Sequence, residues 1–597
     1  MFTAYQNSLP SHLHTYQTAR PASDRTFWEQ QDKQVSSSIA EDAASLLEQP
    51  IPPLLASEYR AFTKTGNRVH FESAYFARRR RLGTLTLAYC CKPDATLLDA
   101  IIDSIWAICE ESTWCLPAHN SYIRDTPQLP LAQVDRPVID LFSAETGATL
   151  AQAYALLKED LDKETPLIAQ RIEHEIGERI HKPYLSEHFW WMGKDDEPMN
   201  NWTVWCTQNV LLSTFLLPTN QMFRHKVAEK ALASLDFFLK DYGDDGCCSE
   251  GAQYFRHAGL CLYLCIDLLN QIGDQWLKPV FKEPKIRNIA SYIRHIHAQG
   301  PYYFNFSDCS ALAGPCSVRE ILFAQAIADT ELEAFALNSA SLRPEHEKHL
   351  PLEINLTYRL LERIHQPLLN RQAVPPSPSD FSYPSVGIYT SRDQHFALAV
   401  KAGGNDDSHN HNDTGSVTVY KDGKPVLIDI GVETYTKQTF SPQRYGIWTM
   451  RSVYHNVTNF PPYEQMAGKD FHSILLEETE GEERSISMEL SQAYPRDIGL
   501  ISYQRKVTHH KGKNIVIEEQ VEGTLLPTLS LMTVEKPEFG GDRIRLGNNV
   551  LLSISGDLLA IETETIPVTD AKLLAVWPHE VYRIRINYQH SLILTLT

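Results

Sequence analysis

Gln372-Ala-Val-Pro-Pro-Ser-Pro-Ser-Asp380 is the stretch on which the fold turns. Its prolines remove backbone donors and push their preceding residues out of the helical region, so it reads as a linker. Upstream, apolar residues recur at i, i+3 and i+4. This predicts helices over Ser73–Cys90, Thr96–Glu110, Pro137–Asp160, Trp202–Leu216, Arg224–Phe238, Ala258–Ile272 and Pro284–His297. Successive helices with short connections suggest antiparallel pairs, stacked or closed into a toroid, and no fixed-period repeat points to a regular solenoid. Downstream the period switches to two, in Val386–Thr390, Phe396–Val400, Ile515–Glu519, Arg543–Leu546, Tyr582–Ile586 and Ser591–Thr595. Strands with turns between them and no intervening helices describe an antiparallel sandwich. The expected division is 1–375 and 376–597, a multidomain α+β chain.

Composition sets outer limits. A chain of 597 residues is too long for one core. Its 43% hydrophobic and 22% charged residues are those of an ordinary globular protein. A formal charge of −19 argues against nonspecific nucleic-acid binding, and no apolar run approaches a membrane span. The N-terminus has neither a basic start nor an apolar core. The 11 cysteines are odd in number, include no Cys-x-x-Cys and all lie between Cys90 and Cys316. That usage points to a reducing compartment, hence the cytoplasm rather than the periplasm or the exterior. A homo-oligomer is left open.

The chemistry-bearing stretch of the second half is Ser408-His409-Asn410-His411-Asn412-Asp413. On an extended strand, histidines at i and i+2 share a face. Asp422-Gly423 between two apolar runs predicts a hairpin that returns Asp429 towards His411. With His455, these residues make a His/Asp/His set suited to one first-row divalent ion, zinc or manganese. His409 is left over for chemistry. With 23 histidines in the chain, a chance His-x-His is also an ordinary event.

In the helical half three segments stand out. Met199-Asn-Asn-Trp-Thr-Val-Trp205 opens a helix, where the bland role of Asn200 or Asn201 is a cap. Asp245-Gly…Glu250-Gly-Ala-Gln-Tyr254 is a turn-rich loop entering a helix. Ser112-Thr-Trp-Cys-Leu-Pro-Ala-His-Asn120 offers Trp114 and His119 as sugar contacts.

Taken with His409-x-His411…Asp429 and Arg451-Ser-x-x-His455-Asn456, these islands resemble the heparinase II/III-like polysaccharide lyases. The stretch Trp106–Asn120 with Asp140-Leu-Phe-x-Ala-Glu-Thr146 looks like a subgroup that includes broad-specificity glycosaminoglycan lyases. The resemblance implies an incomplete N-terminal α/α toroid followed by an antiparallel β-sandwich. It implies β-elimination across C4–C5 of a uronic acid in an acidic polysaccharide or oligosaccharide. Asn201 would neutralise the substrate carboxylate, Tyr254 would act as general acid, and His409 would take the C5 proton or assist the tyrosine. His411, Asp429 and His455 match the metal ligands. Substrate contacts would come from Trp114, His119, Asn200, Trp202, Glu250, Arg256, Arg444, Tyr445 and Arg451; the arginine fork suits carboxylate and sulfate. Tyr254 would need a neighbouring cation (Arg256, His257 or Arg444) to favour its phenolate. Many relatives carry a histidine beside the neutralising asparagine, whereas Asn200 and Trp202 stand there in this chain. The competing readings are a toroid glycoside hydrolase using Asp245 and Glu250, a non-catalytic carbohydrate-binding protein, and a metal-dependent oxygenase.

Overall fold

A computed structural model describes residues 1–124, 126–541, 543–547 and 549–597. The chain divides into two compact units, each assembled from three stretches. The first comprises 1–242, 257–290 and 315–375; the second comprises 243–256, 291–314 and 376–597. The expected cut at 375 thus marks only the last crossing. Two upstream segments, those carrying Tyr254 and the loop around Asp308, group with the sheets.

The first unit is helical. Its main helices are Val69–Cys91, Ala95–Cys109, Leu141–Glu164, Asn201–Leu216, Gln221–Asp241 and Gly259–Ile272. Local chemistry sets their starts: Asp94, Asp140, Asn200 and Asn220 each accept a backbone N–H of the first turn. Helix Asn201–Leu216 is buried on almost every side and packs against Leu141–Glu164. Gly147 lets the latter come close to its neighbours, since a Cβ there would meet Ile180 at 3.1 Å and Ser213 at 3.8 Å. A helix buried all round must satisfy its polar side chains internally. Tyr358 donates to Gln208 at 2.8 Å, and Asn355 donates to Asn209 at 3.0 Å.

The second unit is a sandwich of antiparallel sheets. A five-stranded sheet runs in sequence order through Phe381–Tyr383, Ile388–Arg392, Phe396–Lys401, Val417–Lys421 and Lys424–Leu427. The ten-stranded sheet includes Leu500–His510, Asn514–Gly523, Glu580–Leu596 and Val550–Pro567 as successive neighbours. Inward residues of both sheets, among them Leu398, Val419, Leu427, Val507, Ile517 and Leu594, form one apolar core. Residues 514–521 alternate strictly in burial, as a half-buried strand should.

The hairpin forms as expected, with Asp422 and Gly423 at φ 50° and 78°, the left-handed pair of a tight hairpin turn. The two stretches Tyr582–Ile586 and Ser591–Thr595 are halves of one 17-residue strand. The histidine pair is not on a strand. It lies in the loop between Gly404–Asn405 and Val417–Lys421, and His409 has φ 59°. All 11 cysteines are free thiols. No described helix is long and apolar enough to cross a membrane.

Candidate active site and metal centre

In the second unit, polar side chains from distant stretches converge on the carboxylate of Asp308, which is wholly buried. Its Oδ2 lies 2.8 Å from Nδ1 of His409, and its Oδ1 lies 3.1 Å from Nε2 of His411. Arg444 donates to the same Oδ1 at 2.6 Å. Arg444 also donates to the carbonyls of His409 (2.9 Å) and Asn410 (3.1 Å), so it fixes the loop backbone as well. The far nitrogen of His409, Nε2, is 3.4 Å from a carboxylate oxygen of buried Glu250. The rings of His409 and Tyr254 stack with centroids 5.5 Å apart and planes 18° off parallel. The Tyr254 hydroxyl hydrogen-bonds that of Tyr435. Lys572 lies over the Tyr435 ring, 4.4 Å from its centroid.

The loop is held by a second buried ion cluster. Lys401, 2% exposed, reaches Asp413 at 2.6 Å and Asp407 at 3.1 Å, so one ammonium ties the two ends of the stretch that carries both histidines.

These contacts set the protonation states. Burial pulls the imidazolium of His409 down, but hydrogen bonds to Asp308 and Glu250 and their charges outweigh it, holding the ring up at about 9. Burial alone would raise Asp308, yet its two histidine partners keep it well below the usual carboxylate range. Burial pushes Tyr254 well above an ordinary phenol, with help from the charges of Asp308 and Glu250. A cation favouring its phenolate was the expectation, but the Arg444 side chain is committed to Asp308 and the loop carbonyls. His257 stacks on Trp205 in the helical unit, 3.9 Å between centroids. Tyr254 is therefore a phenol at rest, suited to giving a proton.

Beside this cluster, one ligand atom each from His411, Asp429 and His455 lies within 4.8 Å of the others, all three residues buried. His455 Nδ1 sits 2.9 Å from Asp429 Oδ2. Nδ1 of His411 is buried and has no hydrogen-bond partner among the described residues. An unpartnered imidazole nitrogen beside a carboxylate and a second imidazole is a donor set that could hold a first-row divalent ion. Asn305 donates to Asp429 Oδ1 at 3.3 Å and supports that ligand from behind.

The other expected residues divide. Tyr445 accepts from Asn410 at 3.1 Å, within the same loop cluster. Arg256 packs over Gly314, whose absent side chain leaves room for the guanidinium. Arg451 is ion-paired with Glu464. In the helical unit, Asn200 is the cap, its side-chain oxygen accepting from Trp202 N at 3.0 Å. Asn201 begins the helix and is 6% exposed. Trp202 meets the edge of His119 (4.8 Å), and His119 Nδ1 is 2.8 Å from Asp140. Trp114 corrects the reading of a sugar platform. It is 2% exposed, its indole donates to Ile108 O at 3.0 Å, and Arg179 lies over its ring. It is a core residue.

Sequence reasoning missed Asp308, Tyr435 and Lys401. Each is a single residue without a motif, and Asp308 meets its histidines across more than a hundred positions of chain. Beside Asp308, Ser307 has a left-handed φ of 56°, a turn that the structure shows and the sequence does not announce.

Helices followed by antiparallel sheets place the chain in the class that joins an incomplete α/α toroid to a β-sandwich. Residues 375–525 match the family model of the Heparinase II/III-like C-terminal domain. Among solved structures, the chain is similar to heparan sulfate lyase HepC from Pedobacter heparinus. The TM-score is 0.60 at 14% identity, covering 100% of this chain and 86% of that one. A crystal structure of heparinase III gives a TM-score of 0.58 at 14% identity, covering 87% and 76%. The chondroitin AC lyase of Streptomyces coelicolor A3, solved with chondroitin sulphate, gives 0.52 at 10% identity, covering 95% and 80%. At such identities the likeness establishes the fold. No curated protein matches the chain in sequence.

Proposed function

We propose that the chain is an eliminative lyase that cleaves uronic-acid-containing polysaccharides or oligosaccharides, glycosaminoglycans foremost, leaving a 4,5-unsaturated uronate. The observation that carries this reading is the stacked Tyr254–His409 pair, with both nitrogens of the histidine facing carboxylates. The named lyase neighbours support the class of reaction.

Abstracting the C5 proton builds charge on the adjacent carboxylate, and expelling the sugar chain from C4 requires a proton on O4. Tyr254, held as a phenol by burial, gives that proton. His409, held as an imidazolium at rest, passes its Nε2 proton to the Glu250 carboxylate 3.4 Å away, and the freed Nε2 then takes the proton from C5. Asn201 is assigned by family resemblance to carboxylate neutralisation through its amide donor. His411, Asp429 and His455 would hold one zinc or manganese ion. Such an ion would supply fixed positive charge that orders the loop bearing His409.

The hydrolase alternative needs two free carboxylates flanking the scissile bond. Asp245 is occupied as a turn anchor, accepting from Ser385 N at 2.9 Å and Ser385 Oγ at 2.8 Å. The deciding experiment follows ultraviolet absorbance of the unsaturated uronate with hyaluronan, chondroitin sulfate, heparan sulfate and alginate. Absorbance should rise with at least one polymer and stay flat for Tyr254→Phe. New reducing ends without absorbance would overturn elimination in favour of hydrolysis.

A further inference from the structure

Asp308 stands between two groups that the proposed reaction uses separately. One oxygen meets His409, the proton-transfer histidine; the other meets His411, a member of the candidate metal set. We infer that Asp308 is the positioning residue that makes the metal centre and the proton-transfer histidine one mechanical unit. A metal-binding histidine is generally oriented by a carboxylate on its other ring nitrogen, which fixes tautomer and ring plane. Here that nitrogen is Nε2 of His411, leaving the buried and unpartnered Nδ1 as the atom for the ion. The same carboxylate then leaves His409 no free choice of rotamer. Its Nδ1 is taken, so Nε2 is the nitrogen directed towards Glu250 and, in the proposed reaction, the substrate.

Three features make this a device rather than an incidental contact. Asp308 is wholly buried, so solvent does not replace either histidine as a partner. Arg444 fixes the oxygen shared with His411 and, through the carbonyls of His409 and Asn410, the backbone between the two histidines. The loop ends are closed by Lys401. A shift of His411 towards an ion is thereby transmitted to the carboxylate and on to His409, because the groups between them have no slack. Loading the metal and orienting the catalytic ring become one event.

The proposal rests on the lyase reading for the role of His409, but its test needs no polysaccharide. The full chain with isotope-labelled histidine is stripped with a chelator and titrated with Zn2+, and ring signals are followed by NMR, His409 being assigned with His409→Gln. The ring resonances of His409 should move in step with those of His411 and His455. In parallel, Zn2+ affinity is measured by chelator competition for wild type, Asp308→Asn and Asp308→Glu. Asp308→Asn should weaken Zn2+ roughly ten- to a hundredfold, the range seen when such an outer carboxylate is lost. It should also lower kcat while leaving KM nearly unchanged, and Asp308→Glu should recover part of both. A His409 signal that ignores Zn2+ in the wild-type chain overturns the coupling even if the variants fold poorly. Unchanged Zn2+ affinity in a folded Asp308→Asn chain overturns it equally. Coupling without any unsaturated product would instead count against the lyase reading and leave this inference standing.

Discussion

Each unit holds a buried aspartate 2.8 Å from a histidine: Asp140 with His119 in the helices, and Asp308 with His409 beside the sheets. The pairs differ in what holds the other oxygen. The second oxygen of Asp140 accepts from Ser143 N at 2.8 Å and Ser143 Oγ at 2.6 Å, so the carboxylate is a helix cap that also steadies a ring. That of Asp308 meets a second histidine and an arginine, so the carboxylate sits among ionisable side chains. One contact serves the backbone and the other lies at the proposed reaction centre. An aspartate–histidine distance alone does not separate the two.

This contrast can be broken by measurement. The largest effects belong beside the sheets: Tyr254→Phe and His409→Ala should each lower turnover about a hundred- to ten-thousandfold, followed by absorbance of the unsaturated product. His119→Ala should fall far short of that; an equal loss would erase the distinction drawn above. Next, Lys401→Met leaves buried Asp413 and half-buried Asp407 without their cation, and should cost about 3 kcal/mol in urea unfolding. Asp140→Ala removes a cap and should cost about 1–2 kcal/mol by the same melts. Trp114→Phe deletes the indole bond to Ile108 and should lower stability by about 1 kcal/mol with KM unmoved; a raised KM would restore the sugar-platform reading. Smallest of all, Arg451→Ala breaks a half-exposed ion pair and should change stability by less than about 1 kcal/mol.

What was legible in the sequence follows from the range of the forces involved. The period switch at Gln372–Asp380 reports local burial, so both halves of the fold could be read without their tertiary contacts. Asp429 was placed near His411 because a hairpin of known turn chemistry fixes the return of the chain, whereas His455 joined them by residue type and by the family resemblance. The strand assigned to His409 and His411 failed. Alternation cannot foresee a left-handed residue, and it is the loop conformation that lets both rings reach one carboxylate. Asp308 was hidden because nothing within its own stretch distinguishes it from any surface aspartate. Trp114 was offered as a sugar contact on residue type alone, and residue type does not tell a tryptophan buried in the core from one lining a cleft. The arginines 444 and 451 were visible as a dense group, but charge density does not tell a ligand contact from an internal pair.

The lysine closing the histidine loop has a consequence for engineering. Because Lys401 grips positions 407 and 413 at once, the span between them has a set length, and neither an insertion nor a transplanted hexapeptide would keep its shape alone. The portable module is larger. It is the loop together with the strand Phe396–Lys401 that delivers the lysine and with Asn405, whose amide oxygen receives Thr414 Oγ1 at 2.9 Å. A scaffold that lacks that strand would inherit the two histidines and lose their aim.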